Sequence, residues 1–243
     1  MRILVFQHVD VEHPGVFREF WKEAGDELVA VELDQGETIP PLEDFDLLVV
    51  MGGPQDVWQE DRFPWLIEEK AAIRRWVKEL KKPYLGICLG HQLLGEALGG
   101  TVGKMQRPEV GLTQVQLTDE GQRDPVLAGF STQVESFQWH GAEVANPPEG
   151  AVVLASNAAC AVQAMRWGKH AYGFQYHCEI EVSTVDDWEA IPEYKASLIK
   201  ALGEEKANGL ADEVLPRLPH FRAAALKLNQ NFMRVLKSLK VDS

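Results

Sequence analysis

Over residues 1–100, short apolar runs alternate with segments of helical spacing, and this alternation constrains the chain more than any other feature. Residues 3–6 form an apolar run too short for a helix and read as a buried parallel strand. Residues 15–24 have helical spacing, with Gly25 as a stop. Residues 28–33 read as a second strand. Residues 46–51 read as a third, closed by Gly52-Gly53-Pro54. Residues 64–80 carry Leu66, Ile67, Ile73, Trp76, Val77 and Leu80 on one side and charges on the other, which makes an amphipathic helix. Residues 83–87 are a fourth strand, and residues 90–98 a helix ending at Gly99-Gly100. Strands separated by helices join in parallel. The expected architecture is therefore α/β: three layers, with a mostly parallel central sheet and helices on both faces.

The pattern then changes. Residues 102–117, 133–138, 151–155, 159–167 and 171–176 read as short strands, and from residue 185 the chain is mostly helical and charged. The expected organisation is one domain over residues 1–185, with a helical C-terminal extension over 186–243 packed on it. A chain of 243 residues can bury a large core without staples. With 37 acidic against 24 basic side chains the formal net charge is −13, which argues against duplex nucleic acid and against an anionic membrane surface. No apolar run is long enough to span a bilayer. The start, MRILVFQHVD, reads as a first strand, not a leader. Three cysteines give no disulfide framework, and a cytoplasmic location is expected.

The strongest local signal is Gly86-Ile87-Cys88-Leu89-Gly90-His91-Gln92, where a strand meets a helix. Glycines flanking the cysteine permit a sharp turn that lifts the thiol above the carboxyl end of the sheet. The helix dipole there favours thiolate, and the N–H of Leu89 is a natural oxyanion donor. A thiol nucleophile needs a base and the base an orienter. Tyr176-His177-Cys178-Glu179 supplies both, His177 as base and Glu179 as its partner. Gly52 or Gly53 is the candidate second oxyanion donor. Gln138-Trp139-His140-Gly141 ends a strand that could reach the same rim, and His140 is the rival base; the nearby Glu179 favours His177. The plain alternatives are a buried structural cysteine, a Gly-Gly-Pro turn and a solvated His–Glu pair. His8, His13, His91, His170 and His220 show no metal-ligand spacing, Cys160 and Cys178 read as structural thiols, and no phosphate-loop motif is present, so no metal and no cofactor is expected.

Met51-Gly52-Gly53-Pro54, the block from Pro83 to Leu94, and Gly173-Phe174-Gln175-Tyr176-His177-Cys178-Glu179 together resemble the class I (triad) glutamine amidotransferases over about residues 1–180. The likeness is greatest to the free-standing branch similar to the amidotransferase domain of GMP synthase. The resemblance implies a flavodoxin-like fold and a Cys88 thioester formed from a glutamine side-chain amide. His177 would protonate the leaving ammonia and activate water, and Glu179 would orient it. Gly53 and Leu89 would hold the oxyanion, and Gln92 would bind the head group opposite Gln138, Trp139 and His140. The implied partners are glutamine or a γ-glutamyl small molecule, with a separate synthetase subunit taking the ammonia, since a chain of this length has no room for a synthetase domain. Two residues depart from the family pattern: Cys178 replaces the usual Pro and is expected to loosen the turn, and Ala142 replaces an acidic residue. A γ-glutamyl peptidase, a non-catalytic regulatory or binding module, and a different cysteine-elbow α/β protein are the competing readings.

Overall fold

A computed structural model describes residues 1–241. One nine-stranded sheet runs through it: β1 (Arg2–Gln7), β2 (Glu27–Glu32), β3 (Leu47–Val50), β4 (Tyr84–Ile87), β5 (Thr101–Leu117), β6 (Gln133–Asn146), β7 (Ala151–Ser156), β8 (Ala164–Trp167) and β9 (Ala171–Phe174). The spatial order is β2-β1-β3-β4-β9-β8-β7-β5-β6. The helices are α1 (Phe17–Glu23), α2 (Trp65–Arg74), α3 (Leu89–Ala97), α4 (Asp119–Arg123), α5 (Thr184–Glu189), α6 (Pro192–Leu202), α7 (Glu204–Ala207), α8 (Leu210–Val214) and α9 (Leu218–Val241).

The expected mostly parallel sheet holds for one half only. Strands β2, β1, β3, β4 and β9 are parallel; β8, β7, β5 and β6 extend the sheet with antiparallel pairings. The reason is connection length. Gly168, Lys169 and His170 alone separate β8 from β9, and no crossover helix fits there. The strands foreseen as short also include two long ones, β5 and β6, which pair along most of their length with a register shift between Lys104 and Glu109. Trp139 and His140, expected at the end of a strand, lie inside β6 because Val110 and Glu109 pair with them.

In the parallel half, successive strand residues face opposite layers, as a pleated strand requires. Ile3, Val5, Leu47 and Val49 pack with Phe17, Phe20 and Trp21 of α1 and with Leu228, Phe232 and Leu236 of α9. Leu4, Phe6, Leu48 and Val50 pack with Leu66, Ile73 and Trp76 on the helix that begins as α2, and with Leu93 and Leu94 of α3. Both faces of these strands are thus dry, which is why they read as unbroken apolar runs. A third cluster seats α5, α6 and α8 against Val110, Phe137 and Trp139. Among the described residues no helix is long and apolar enough to cross a membrane.

Candidate active site

The centre of the site is the junction of β4 and α3. Cys88 has φ +53° and ψ −106°, a conformation L-residues avoid, and Lys81 is the other described non-glycine residue with positive φ. The surroundings hold it there. Its N–H donates to Phe174 O at 2.8 Å, and Gly90 N–H donates to Met51 O at 3.1 Å, so β9 and the residue just after β3 pin the turn from both sides. The flanking glycines serve close approach. A Cβ at Gly90 would overlap the Val50 carbonyl, and one at Gly86 would meet Gly90 O at 2.5 Å.

His177 comes to the same point from the end of β9. A two-way backbone bridge fixes it to β6: His177 N–H donates to Phe137 O at 2.8 Å, and Phe137 N–H to His177 O at 3.3 Å. Trp188 of α5 packs its ring edge-on against the imidazole, with centroids 4.7 Å apart. The imidazole Nδ1–H donates to Glu179 Oε1 at 2.7 Å, with both side chains almost wholly buried. Glu179 Oε2 accepts from Cys178 N–H at 2.9 Å. A proline has no such donor, so the residue expected to loosen the turn tethers the carboxylate instead. Nε2 of His177 faces the Cys88 thiol closely enough for the two groups to act on each other's ionisation, short of a full hydrogen bond.

Burial would push the His177 imidazole down, but Glu179 and Cys88 outweigh it and hold its pKa well above the usual value. For Cys88, burial pushes the thiol up; His177 pulls it down, and the nearby Glu12 and Glu179 charges push it up again. The net direction is upward, against the thiolate expected from the helix terminus alone. The dipole acts on a residue only 4% exposed, where desolvation of a charge is the larger effect.

Residues Gly53, Leu89, Gln92, Trp139 and His140 line a pocket of about 230 Å³ beside Cys88. Two other candidates do not. Gly52 sits behind Gly53, where a Cβ would overlap the Glu12 carboxylate. Gln138 points into a buried network, donating to Gln163 Oε1 at 3.0 Å, so its expected contact with a ligand in the pocket is not what the fold provides. That network also occupies His140. Its Nδ1 faces Ala142 O at 2.9 Å and its Nε2 faces Glu109 Oε2 at 3.1 Å, leaving it no free nitrogen for the thiol. Gln92 Nε2 donates to Ala142 O and to Gln175 Oε1, and Gln175 Nε2 lies 3.6 Å from Cys88 Sγ.

Several neighbours were invisible in the sequence. His8 donates from Nδ1 to Gly52 O and from Nε2 to Glu69 Oε1, each at 2.8 Å, which fixes the Gly52–Gly53 loop from below. Burial opposes its charge, but Glu69 prevails and raises its pKa. Glu12, 1% exposed, accepts from the Tyr194 hydroxyl, and burial raises its carboxyl pKa even though His177 pulls it down. Tyr194 and Ser197 of α6 also form part of the pocket wall. These pairings span 61 residues for His8–Glu69 and 182 for Glu12–Tyr194, and no local spacing announces them.

Residues 21–188 match the family model for glutamine amidotransferase class I. A glutamine-hydrolysing GMP synthase component from Saccharolobus solfataricus is 41% identical over 152 residues, covering 60% of this chain and 76% of that protein. A glutamine amidotransferase-like protein of Salmonella typhimurium is 33% identical over 196 residues, covering 76% and 79%. Among solved structures, a glutamine amidotransferase of Thermotoga maritima superposes with a TM-score of 0.81 at 26% identity, covering 97% of this chain and 98% of its own.

Proposed function

We propose, from the premise that the chain belongs to the class I glutamine amidotransferases, that it hydrolyses a γ-glutamyl amide through a thioester on Cys88. The observation that carries this reading is the convergence of three separate segments on one pocket: a strained Cys88, an imidazole with one nitrogen facing it, and a buried carboxylate 2.7 Å from the other nitrogen.

In this mechanism the thiol proton passes to His177 Nε2 as Sγ attacks the γ-carbonyl carbon. Attack requires the form of the pair that shares a single proton, and within it the raised basicity of His177 favours transfer from sulfur to Nε2. The carbonyl oxygen becomes an oxyanion held by the N–H groups of Gly53 and Leu89, which flank the pocket. Collapse breaks the C–N bond, and His177 gives its proton to the departing nitrogen. Water then gives a proton to His177 and attacks the thioester; glutamate leaves and the thiol is restored. Glu179 keeps the Nδ1 proton in place and stabilises the imidazolium in both halves. A pocket of about 230 Å³ suits a small amide.

The substituent on the departing nitrogen separates a glutaminase from a γ-glutamyl peptidase. The test is to incubate the protein with glutamine and with γ-glutamyl amides of several amines and to measure the amine released. Cys88→Ala should abolish release; full activity in that variant would end the proposal. The relative from Saccharolobus solfataricus, one component of a GMP synthase, motivates one added arm. A separate synthetase chain, if it takes the ammonia, should co-purify with this protein and stimulate turnover.

A further inference from the structure

The peptide joining Gly52 to Gly53 lies between two residues without side chains, so it can turn over at little steric cost. Its orientation matters, because Gly53 lines the pocket beside Cys88. A trans peptide carries its C=O and its N–H on opposite edges, and no peptide bond among the described residues is cis. With the N–H toward the pocket the plane stabilises a developing oxyanion; turned over, it presents a carbonyl dipole that repels one.

Two buried side chains choose between these states. His8 Nδ1 lies 2.8 Å from Gly52 O, and its Nε2 lies 2.8 Å from Glu69 Oε1. A carbonyl oxygen only accepts, so Nδ1 carries a hydrogen whether the second proton of the pair sits on Nε2 or on Glu69. The ring is held as well: Trp65 stacks on it with centroids 5.4 Å apart, and Gln55 Nε2 donates to His8 O at 3.0 Å. The carbonyl of Gly52 is thereby committed to His8, which leaves the Gly53 N–H on the opposite edge of the plane. That N–H donates to no backbone carbonyl among the described residues. Burial opposes a charge on His8, but Glu69 outweighs it and raises the pKa. A cationic donor on the C=O polarises the peptide and makes its N–H the stronger donor.

We infer that His8 and Glu69 are positioning residues for the oxyanion site: by gripping the Gly52 carbonyl they hold the peptide with the Gly53 N–H toward the substrate's carbonyl oxygen. Neither side chain lines the pocket, so both act through the peptide and not on the substrate. The inference rests on the thioester reading and deepens it, because it gives the second oxyanion donor a cause. It also explains why an ionisable pair is kept in a dry layer of the fold, where apolar residues of similar volume would pack at no cost in stability.

The test is the double variant His8→Phe with Glu69→Leu, since His8→Phe alone would strand a buried carboxylate. Phe keeps the stack on Trp65, and His8→Leu with Glu69→Met is a second apolar filling of the same space should the first fail to fold; a urea midpoint near that of the parent is the control. Turnover of glutamine and of γ-glutamyl amides is measured beside the rate at which iodoacetamide alkylates Cys88. Alkylation displaces iodide from a saturated carbon and builds no oxyanion, whereas both halves of the thioester reaction build one. The double variant should lose about 10²- to 10³-fold in kcat, with KM little changed and alkylation near the parent rate. Glu69→Gln alone keeps a hydrogen on Nδ1, because its amide NH₂ can donate to Nε2, so its kcat should exceed that of the double variant by about tenfold or more. An unchanged kcat in the folded double variant would overturn the inference and leave the hydrolase reading standing. An equal fall in turnover and alkylation would do the same, since it marks damage to the cysteine turn itself. Absence of Cys88-dependent turnover in the unsubstituted protein would overturn both.

Discussion

Replacing Glu179 by glutamine tests the reasoning about the site most directly. The carboxylate has two oxygens and two buried donors converge on them, His177 Nδ1–H at 2.7 Å and Cys178 N–H at 2.9 Å. A glutamine has one oxygen, so one of these donors must face an NH₂ group. The negative charge that stabilises the imidazolium is lost as well. A hydrogen bond to a charged group contributes roughly 1.5–3 kcal/mol, so kcat should fall about 10- to 150-fold. Loss of His177 itself should cost more, up to about 10⁴-fold, because proton transfer goes with it. The pH profile gives an independent sign. Glu179 raises the pKa of both Cys88 and His177, so Glu179→Gln should move the ascending limb of kcat/KM to lower pH, whichever group gives up the proton. The assay is ammonia or amine release across pH at saturating and at limiting substrate, with a urea midpoint as a folding control. An unchanged kcat, or a limb that moves to higher pH, would refute the argument.

Cys88→Gly should be more stable than Cys88→Ala by about 1–3 kcal/mol, because glycine accepts φ +53° and alanine does not; equal urea midpoints would count against strain at the elbow. Tyr194→Phe strips Glu12 of its hydroxyl partner while the other carboxyl oxygen already has none, so stability should fall by about 1–3 kcal/mol in chemical denaturation. His91 is buried and its pKa is lowered to about 4 by desolvation. The unfolded chain takes up that proton near pH 6.5, so stability should be lost as pH falls from there toward about 4, by at most roughly 3 kcal/mol. Urea midpoints at several pH values should show this slope, and His91→Gln should flatten it.

How far the sequence carries differs between the two halves of the sheet. Residues 3–6, 46–51 and 83–87 are buried on both faces, so each strand is written locally as an apolar run, and β1, β3 and β4 lie within a residue or two of those limits. The glycine frame of Cys88 was legible for a similar reason: a backbone that passes within contact distance of the Val50 carbonyl admits no side chain at Gly90, and the demand appears in the sequence itself. Strands β5 and β6 are different. Their length and direction come from pairing with each other, and nothing within residues 133–138 announces that the strand continues through His140 to Asn146. The role of His140 follows the same rule, since its Glu109 partner is visible only once β5 and β6 are aligned.

By itself the sequence determined the local elements, the cysteine turn and the nearness of His177 to Glu179, because each is a short-range consequence of chain geometry. Tertiary structure alone decided the antiparallel half of the sheet and the turning of Gln138 away from the pocket. It also decided the partners His8–Glu69 and Glu12–Tyr194 and the wall contributed by α6. Those depend on which distant segments meet, and burial and charge at a site are sums over everything that meets there. That is why the ionisation of Cys88 ran opposite to what the helix terminus suggested: the dipole is local, while the desolvation and the flanking carboxylates arrive from elsewhere in the chain.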